Sequence, residues 1–472
     1  MVSARRRHNE LTMQTTPHRS RLAVRAKRRQ AAAVYGRVVC PVAVLLATLL
    51  GAVAGSGSSQ AQATTSGFSP VVQRTGKPPT GYTVTFRYRN PRAKSVYLEG
   101  EWYFSSPGHA SPYSSQGLLP TQWEPGDFPL GWPNIATTAG WPLSNMKKDP
   151  RTGVWSYTAP LPSGEFNYSF AVNCTDAEMA SATGCPTISD PSNPPWNDRH
   201  GVSVGSVEPT SQVYVPSDPA FHTVNYWWQA PTSPHGALRD VTYAALSGTS
   251  SSSPGANYLA VYTPPGYEPH RSTPYPTLYL SAGYVSNEVD WSTRADAANI
   301  LDHLIDKGQV EPMVVVMTNF AWAAFGLAAC SGDGYDQNLI SRVIPFVQSH
   351  YDVSPEPSQR AFAGLSCGGG LAVSLLLDDP NEFGYYGAFS PYPGNLSALT
   401  PAQASSIKKV QVLVGGGKDD PIHFYAQEDV AALNKVGIKF FSDFINGGHD
   451  WYVWRILLHD FLARVAFRPT SV

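Results

Sequence analysis

Gly364-Leu365-Ser366-Cys367-Gly368 sets a serine between two glycines, where an apolar run, Arg360 to Leu365, meets a stretch with helical spacing, Gly368 to Leu377. This G-x-S-x-G pattern between strand and helix reads as a nucleophile elbow, a tight turn that lifts the serine oxygen above a sheet. The same turn puts the Cys367 N–H at a helix N-terminus, where it can stabilise an oxyanion. A serine hydroxyl is a weak nucleophile at neutral pH and needs a base. In this kind of site the acid and then the histidine follow the serine along the chain. Downstream, one apolar run ends in Gly415-Gly416-Gly417-Lys418-Asp419-Asp420 and the next ends in Gly447-Gly448-His449-Asp450-Trp451. We read His449 as the base and Asp420 as its orienting acid, with Asp419 the rival carboxylate. His423, at a loop-to-helix start, and His459, on a helix face, are the rival histidines. A second oxyanion donor comes by position from the loop Ser281-Ala282-Gly283-Tyr284, with the Tyr284 N–H as candidate. The set requires no cofactor and no metal.

These residues need strands that deliver them to one edge. From about residue 241 strand-like and helix-like runs alternate. Tyr258 to Tyr262, Pro276 to Leu280, Met313 to Met317, Arg360 to Leu365, Val410 to Val414 and Lys439 to Phe444 read as strands. Ala295 to Lys307, Leu339 to His350, Gly368 to Leu377, Tyr425 to Lys435 and Trp454 to Val465 read as helices. The alternation predicts an α/β domain over 236–472, a mostly parallel sheet with helices on both faces. In such sheets ligands bind beyond the carboxyl ends of the strands, where the acid and histidine runs end.

Ahead of it the texture is different. Tyr82 to Tyr88 alternates apolar and polar residues; Ser95 to Gly100, Val154 to Thr158 and Phe166 to Val172 follow as strands, without a long helical pattern. This predicts an all-β sandwich over 64–205, with a long loop at 105–150 holding Trp123, Trp132 and Trp141, and a linker at 206–235. The loop tryptophans could stack on sugar faces or simply pack. Trp451 could line a substrate pocket or belong to the core.

Of the 34 Lys/Arg, ten lie in the first 37 residues beside the single acid Glu10, which leaves the remainder with 24 basic against 34 acidic residues. No basic stripe remains to neutralise phosphates, so nucleic acid is not expected as a partner. The basic block precedes an uncharged apolar run, Val38 to Gly55, and then Ala61-Gln62-Ala63. This is the order of an export signal, here 1–63. A membrane anchor is the alternative; Pro41 and Gly51 interrupt a run barely long enough to span. A secreted or periplasmic protein without stable membrane insertion is therefore expected. In that compartment Cys174 and Cys185 should form a disulfide; no histidine sits beside them at metal-ligand spacing. Cys330 and Cys367 either pair or leave Cys367 as a buried filler beside the serine.

The stretches VYTPPGY, YPTLYLSAG, ILDHLIDKGQVEPMVVVM, IPFVQSHYDV, RAFAGLSCGGG, FGYYGAFSP and GGHDWYVWR resemble the esterase family that includes esterase D, feruloyl and acetylxylan esterases of carbohydrate esterase family one, enterochelin esterases and the mycolyltransferase antigens. The resemblance implies an α/β-hydrolase fold, with Ser366, Asp420 and His449 as the triad. Residues 82–205, with ISDPSNPP, resemble the immunoglobulin-like domain attached to many of these esterases. Two positions depart from the family: Ala282-Gly283 stands where His-Gly is usual, and Cys367 where Met is usual. The resemblance implies an ester hydrolase acting on a small-molecule or polysaccharide ester, with carbohydrate-linked feruloyl or acetyl groups first. A siderophore lactone esterase and an acyltransferase are alternatives, and a catalytically silent carbohydrate-binding protein is the alternative outside enzymes.

Overall fold

The computed structural model describes residues 68–468, apart from the segments 108–116, 131–143, 180–184, 196–209, 247–255, 320–329 and 331–333 and positions 223, 285, 395, 397 and 398. Residues 1–63, read from the sequence as an export signal, and Trp132 and Trp141 lie outside the described residues. All described residues fall within one compact unit, Ser59–Val472.

The N-terminal part is β-rich. Strands β1 (Val71–Arg74), β2 (Tyr82–Arg89), β7 (Val154–Pro160) and β6 (Lys147–Lys148) form one antiparallel sheet in that order. A second runs β10 (Ser211–Val215), β8 (Gly164–Val172), β3 (Val96–Gly100), with β9 (Thr187–Ile188) also on β8. Strands β4 (Tyr103–Ser105) and β5 (Phe128–Leu130) pair separately. Alternate residues of the two larger sheets, Val84 and Phe86 against Leu98, Phe166, Tyr168 and Val213, share one buried core. The region runs past the boundary expected at residue 205, because β10 hydrogen-bonds along β8. The Cys174–Cys185 disulfide, with a Cα–Cα distance of 6.3 Å, closes the connection between β8 and β9.

The C-terminal part is an α/β arrangement around an eight-stranded sheet. Its order is β11 (Ala237–Ala244), β12 (Ala256–Thr263), β14 (Val314–Thr318), β13 (Thr277–Ser281), β15 (Arg360–Leu365), β16 (Tyr385–Phe389), β17 (Gln411–Gly417), β18 (Phe441–Ile445). The β11–β12 and β12–β14 pairings are antiparallel, and the remaining ones are parallel. Side chains alternate between two cores, as the period of a strand requires. Tyr279, Val314, Val316 and Phe362 enter one, with the helices Cys367–Asp378 and His423–Lys435. Leu278, Leu280, Val315, Met317 and Ala363 enter the other, with Ala297–Asp306 and Trp451–Arg464. A strand buried on both faces reads as a continuous apolar run, which is why Val314–Met317 carries no polar residue.

Residues 226–228, expected within a linker, are packed against the second core. Trp228 stacks on His459 with ring centroids 4.4 Å apart, and the Tyr226 and Tyr452 hydroxyls lie 2.8 Å apart. Trp123 is also buried, stacked on His222 at 4.8 Å, which makes it a packing residue.

Candidate active site

Ser366 sits at the carboxyl end of β15, and the helix Cys367–Asp378 starts at the next residue. Chain reversal this tight brings backbone onto backbone. A Cβ on Gly364 would lie 2.4 Å from the Gly368 carbonyl, and one on Gly368 would lie 2.5 Å from the carbonyl oxygens of Ser281 and Ala282. Both glycines of G-x-S-x-G are thus steric requirements. Ser366 takes φ 54° and ψ −118°, a region disfavoured for residues with a Cβ, at a cost of roughly 1–3 kcal/mol. Three backbone hydrogen bonds over-determine it. Its N–H donates to the Phe389 carbonyl at 2.9 Å, and its carbonyl accepts from Gly370 at 3.0 Å and Tyr392 at 2.9 Å.

Of the two expected oxyanion donors, Cys367 directly follows the serine and Tyr284 follows Gly283, which approaches it. The Cys367 N–H is the first of its helix and has no intrahelical acceptor. The loop after β13 passes over the serine: a Cβ on Gly283 would lie 3.3 Å from Ser366 Cβ and 3.7 Å from its Oγ. Tyr284 follows in a turn, with its side chain 39% exposed. Behind Cys367 the open question about cysteine pairing is resolved: Cys330 and Cys367 form a disulfide, both buried, Cα–Cα 4.7 Å.

Asp420 and His449 come together. His449 Nδ1 lies 2.8 Å from Asp420 Oδ2, and Asp420 Oδ1 accepts the Ile422 N–H at 2.8 Å, so both carboxylate oxygens are used. Asp420 is fully buried, while the His449 side chain remains 19% exposed. An acceptor at Nδ1 fixes the neutral tautomer with Nδ1–H, leaving Nε2 as the base nitrogen. Asp420, not Asp419, carries the bond to His449: the Asp419 N–H donates to the Gly447 carbonyl at 2.9 Å, its buried Oδ2 has no hydrogen-bond partner, and burial pushes its carboxyl above the usual range. His423 donates from Nδ1 to the Asp420 carbonyl, not the carboxylate, at 2.6 Å, and His459 pairs with Asp460 at 2.7 Å. The glycines around His449 have a packing reason too, since a Cβ on Gly417 would lie 2.2 Å from the Gly447 carbonyl oxygen.

The sequence reading did not foresee how the His449 ring is supported. Trp454 meets it edge-on, centroids 4.9 Å apart, and Trp454 Nε1 donates to the Ser390 Oγ at 3.3 Å. Ser390 follows β16 with φ 45° and is fully buried. A serine held at positive φ is the kind of outlier that identifies a site, but only coordinates reveal it. Asp450 caps the helix Trp451–Arg464 by accepting the Val453 N–H at 3.1 Å, and burial lifts its carboxyl to about 7. Trp451 lies in the core, 5% exposed and edge-on to Trp291 and Trp454, so it is packed as a structural residue.

Ser366, Ser390, Asp420 and His449 lie just past the carboxyl ends of β15, β16, β17 and β18, and the Ala282–Tyr284 loop past that of β13. Among the described residues no group of three or more His, Cys, Asp or Glu is arranged to hold a metal ion, and no helix is long and apolar enough to cross a membrane.

Residues 250–465 match the family described as "Putative esterase". The chain is similar to the endo-1,4-beta-xylanase/feruloyl esterase of Xylanibacter ruminicola, 30% identical over 233 residues, which cover 47% of this chain and 30% of that protein. It is also similar to endo-1,4-beta-xylanase Y of Acetivibrio thermocellus, 31% identical over 176 residues, covering 35% of this chain and 15% of the other. The chain thus spans less than a third of the length of these curated relatives. Among solved structures, the enterobactin esterase FES from Shigella flexneri, in the presence of enterobactin, covers 84% of this chain and 94% of its own, with a TM-score of 0.52 and 19% identity. That likeness is one of fold. Ser366, Asp420 and His449 all lie within the matched residues.

Proposed function

We propose that the chain is an exported serine carboxylesterase with Ser366, His449 and Asp420 as its triad. Ser366 Oγ attacks the ester carbonyl while His449 Nε2 takes its proton and passes it to the leaving alcohol. Asp420 holds the ring and stabilises the imidazolium. The Cys367 and Tyr284 N–H groups receive the oxyanion. Water, deprotonated by His449, then releases the acid and restores the serine. The reading is supported by the 2.8 Å His449–Asp420 bond past the ends of β17 and β18, with Ser366 on a strained elbow at the end of β15 in the same sheet.

Carbohydrate-linked feruloyl or acetyl esters are the proposed substrates, supported by xylanase and feruloyl esterase relatives over the esterase domain. A siderophore lactone is the second reading, favoured by a fold likeness that extends over the β-rich region as well. We assign the β-rich region, from residue 64 through β10, as an immunoglobulin-like domain and 1–63 as the export signal on the sequence pattern.

The test is hydrolysis of aryl acetate, methyl ferulate and an enterobactin-type trilactone by wild type and Ser366→Ala. Loss of the nucleophile should lower kcat about 10⁴-fold or more and abolish labelling by a fluorophosphonate. A variant retaining a tenth of the activity would refute the assignment. The faster of ferulate and trilactone chooses between the two substrate readings.

A further inference from the structure

Arg455 lies on the helix that follows His449, yet its guanidinium serves another part of the molecule. The side chain is 1% exposed. Its Nη1 donates to the Glu165 carbonyl at 2.9 Å and to Glu101 Oε2 at 3.4 Å. Its Nη2 donates to Glu101 Oε2 at 3.4 Å and to the Arg294 carbonyl. Glu165 belongs to β8, and Glu101 directly follows β3, so both lie in the N-terminal β-rich region. The Glu101 carboxylate is fixed in turn. Asn167, also on β8, donates its N–H to Oε2 at 3.3 Å and its Nδ2 to Oε1 at 2.9 Å, and the same amide reaches the Arg294 carbonyl at 3.0 Å.

A buried guanidinium has a large desolvation cost, and an apolar side chain of similar volume would dock a helix equally well. What the charged group adds is direction, because its planar fork accepts partners only along fixed N–H vectors. Here those vectors bind β3, β8 and the Arg294 turn to one point on the helix. The adjacent residue, Trp454, touches the His449 ring, and Asp450 caps the same helix between His449 and Arg455. Fixing Arg455 therefore fixes the rotation of the helix start and, with it, the ring that supports the histidine.

We propose that Arg455 and Glu101 are positioning residues for His449, so that the N-terminal β-rich region sets the geometry of the acid–base pair although it supplies none of its members. The inference rests on the reading of His449 as the base. The esterase domain taken alone would lose every hydrogen-bond partner of the Arg455 guanidinium named above except the Arg294 carbonyl, keeping Asp296 as a nearby carboxylate.

The test uses full-length Glu101→Gln, Arg455→Met and Arg455→Lys, each checked for cooperative thermal unfolding. Two readouts are followed: kcat and KM on an aryl acetate, and the deshielded Nδ1–H proton resonance of His449. Glu101→Gln and Arg455→Met should lower kcat about 10- to 100-fold, with KM changed less than about threefold, and should shift or broaden that resonance. Arg455→Lys should recover part of both. If Arg455→Met does not fold, Glu101→Gln, which preserves volume but removes the charge and replaces one acceptor oxygen by a donor, decides. Folded variants with wild-type kcat and an unmoved resonance overturn the inference. A wild type that neither hydrolyses esters nor reacts with fluorophosphonate instead overturns the esterase reading, and the resonance still decides the positioning claim.

Discussion

The two halves of the proposed catalytic set are held by different kinds of force. Ser366 is fixed by backbone: two glycines that allow strand, helix and loop to touch, and three main-chain hydrogen bonds around one strained residue. His449 and Asp420 are fixed by side chains, through a carboxylate, the edge of Trp454, a buried serine hydroxyl and, beyond them, an arginine anchored in another region. Backbone geometry is set by the residues on the spot. Side-chain geometry depends on partners from anywhere in the chain. The nucleophile should therefore tolerate changes in its surroundings that the acid–base half does not.

The sharpest break in the comparison is at the acid. Asp420→Asn should lower kcat about 10³- to 10⁴-fold by allowing the wrong imidazole tautomer, whereas Asp419→Asn, at a carboxylate that does not hold the His449 Nδ1 bond, should stay within about threefold. Steady-state kinetics on an aryl ester separates the two; a larger loss at Asp419 would reassign the acid. Fluorophosphonate capture by wild-type and Asp420→Asn protein should diverge less than turnover, because the elbow remains built.

A broader effect is expected from pH. Burial lifts Asp296 and Asp302 to about 6 and Asp443 and Asp450 to about 7, whereas in an unfolded chain they titrate near 4. Each binds its proton more tightly when folded, so its stabilisation is complete below about pH 4 and is lost as pH rises through 6 and 7. Thermal unfolding followed between pH 5 and pH 8 should show Tm falling, and Asp450→Asn, which keeps a capping side chain, should flatten the slope. A Tm that rises across this window contradicts the environments described for these carboxyls.

The smallest effect is expected at Trp454. Phenylalanine there keeps an aromatic edge against His449 but loses the bond to Ser390, and kcat should fall about two- to fivefold with little change in KM. A loss as large as that of Asp420→Asn would make the ring itself the main determinant of histidine placement.

This contrast also explains what the sequence disclosed. The elbow is local, so G-x-S-x-G with its flanking strand and helix could be read directly, as could the acid and histidine runs, because each ends a strand. Strand β16 was not read: Tyr385–Phe389 has no β-branched residue and contains Gly387, whose Cβ would lie 2.9 Å from Ala363. Its glycine answers a neighbour rather than a local preference. The segment 206–235 was read as a linker because its Ser and Pro content hides β10 and the packing of Tyr226 and Trp228. The Arg455–Glu101 pair joins residues 354 apart, and nothing in either local sequence announces the other.

The disulfide between Cys330 and Cys367 links the residue after the nucleophile to one 37 positions earlier. In a chain-entropy view, closing a loop of that size is worth roughly 4 kcal/mol. Its place matters more than its strength. The first helical turn after Ser366 has no side chains of its own at Gly368, Gly369 and Gly370, so Cys367 is the first residue there able to make a covalent tether. Recombinant production is therefore part of the chemistry. A host that keeps its cytosol reducing would deliver two thiols beside the serine, and a catalyst assayed from such a lysate would differ from one folded where oxidation is allowed, with the same sequence and the same mass to within two hydrogens per bridge.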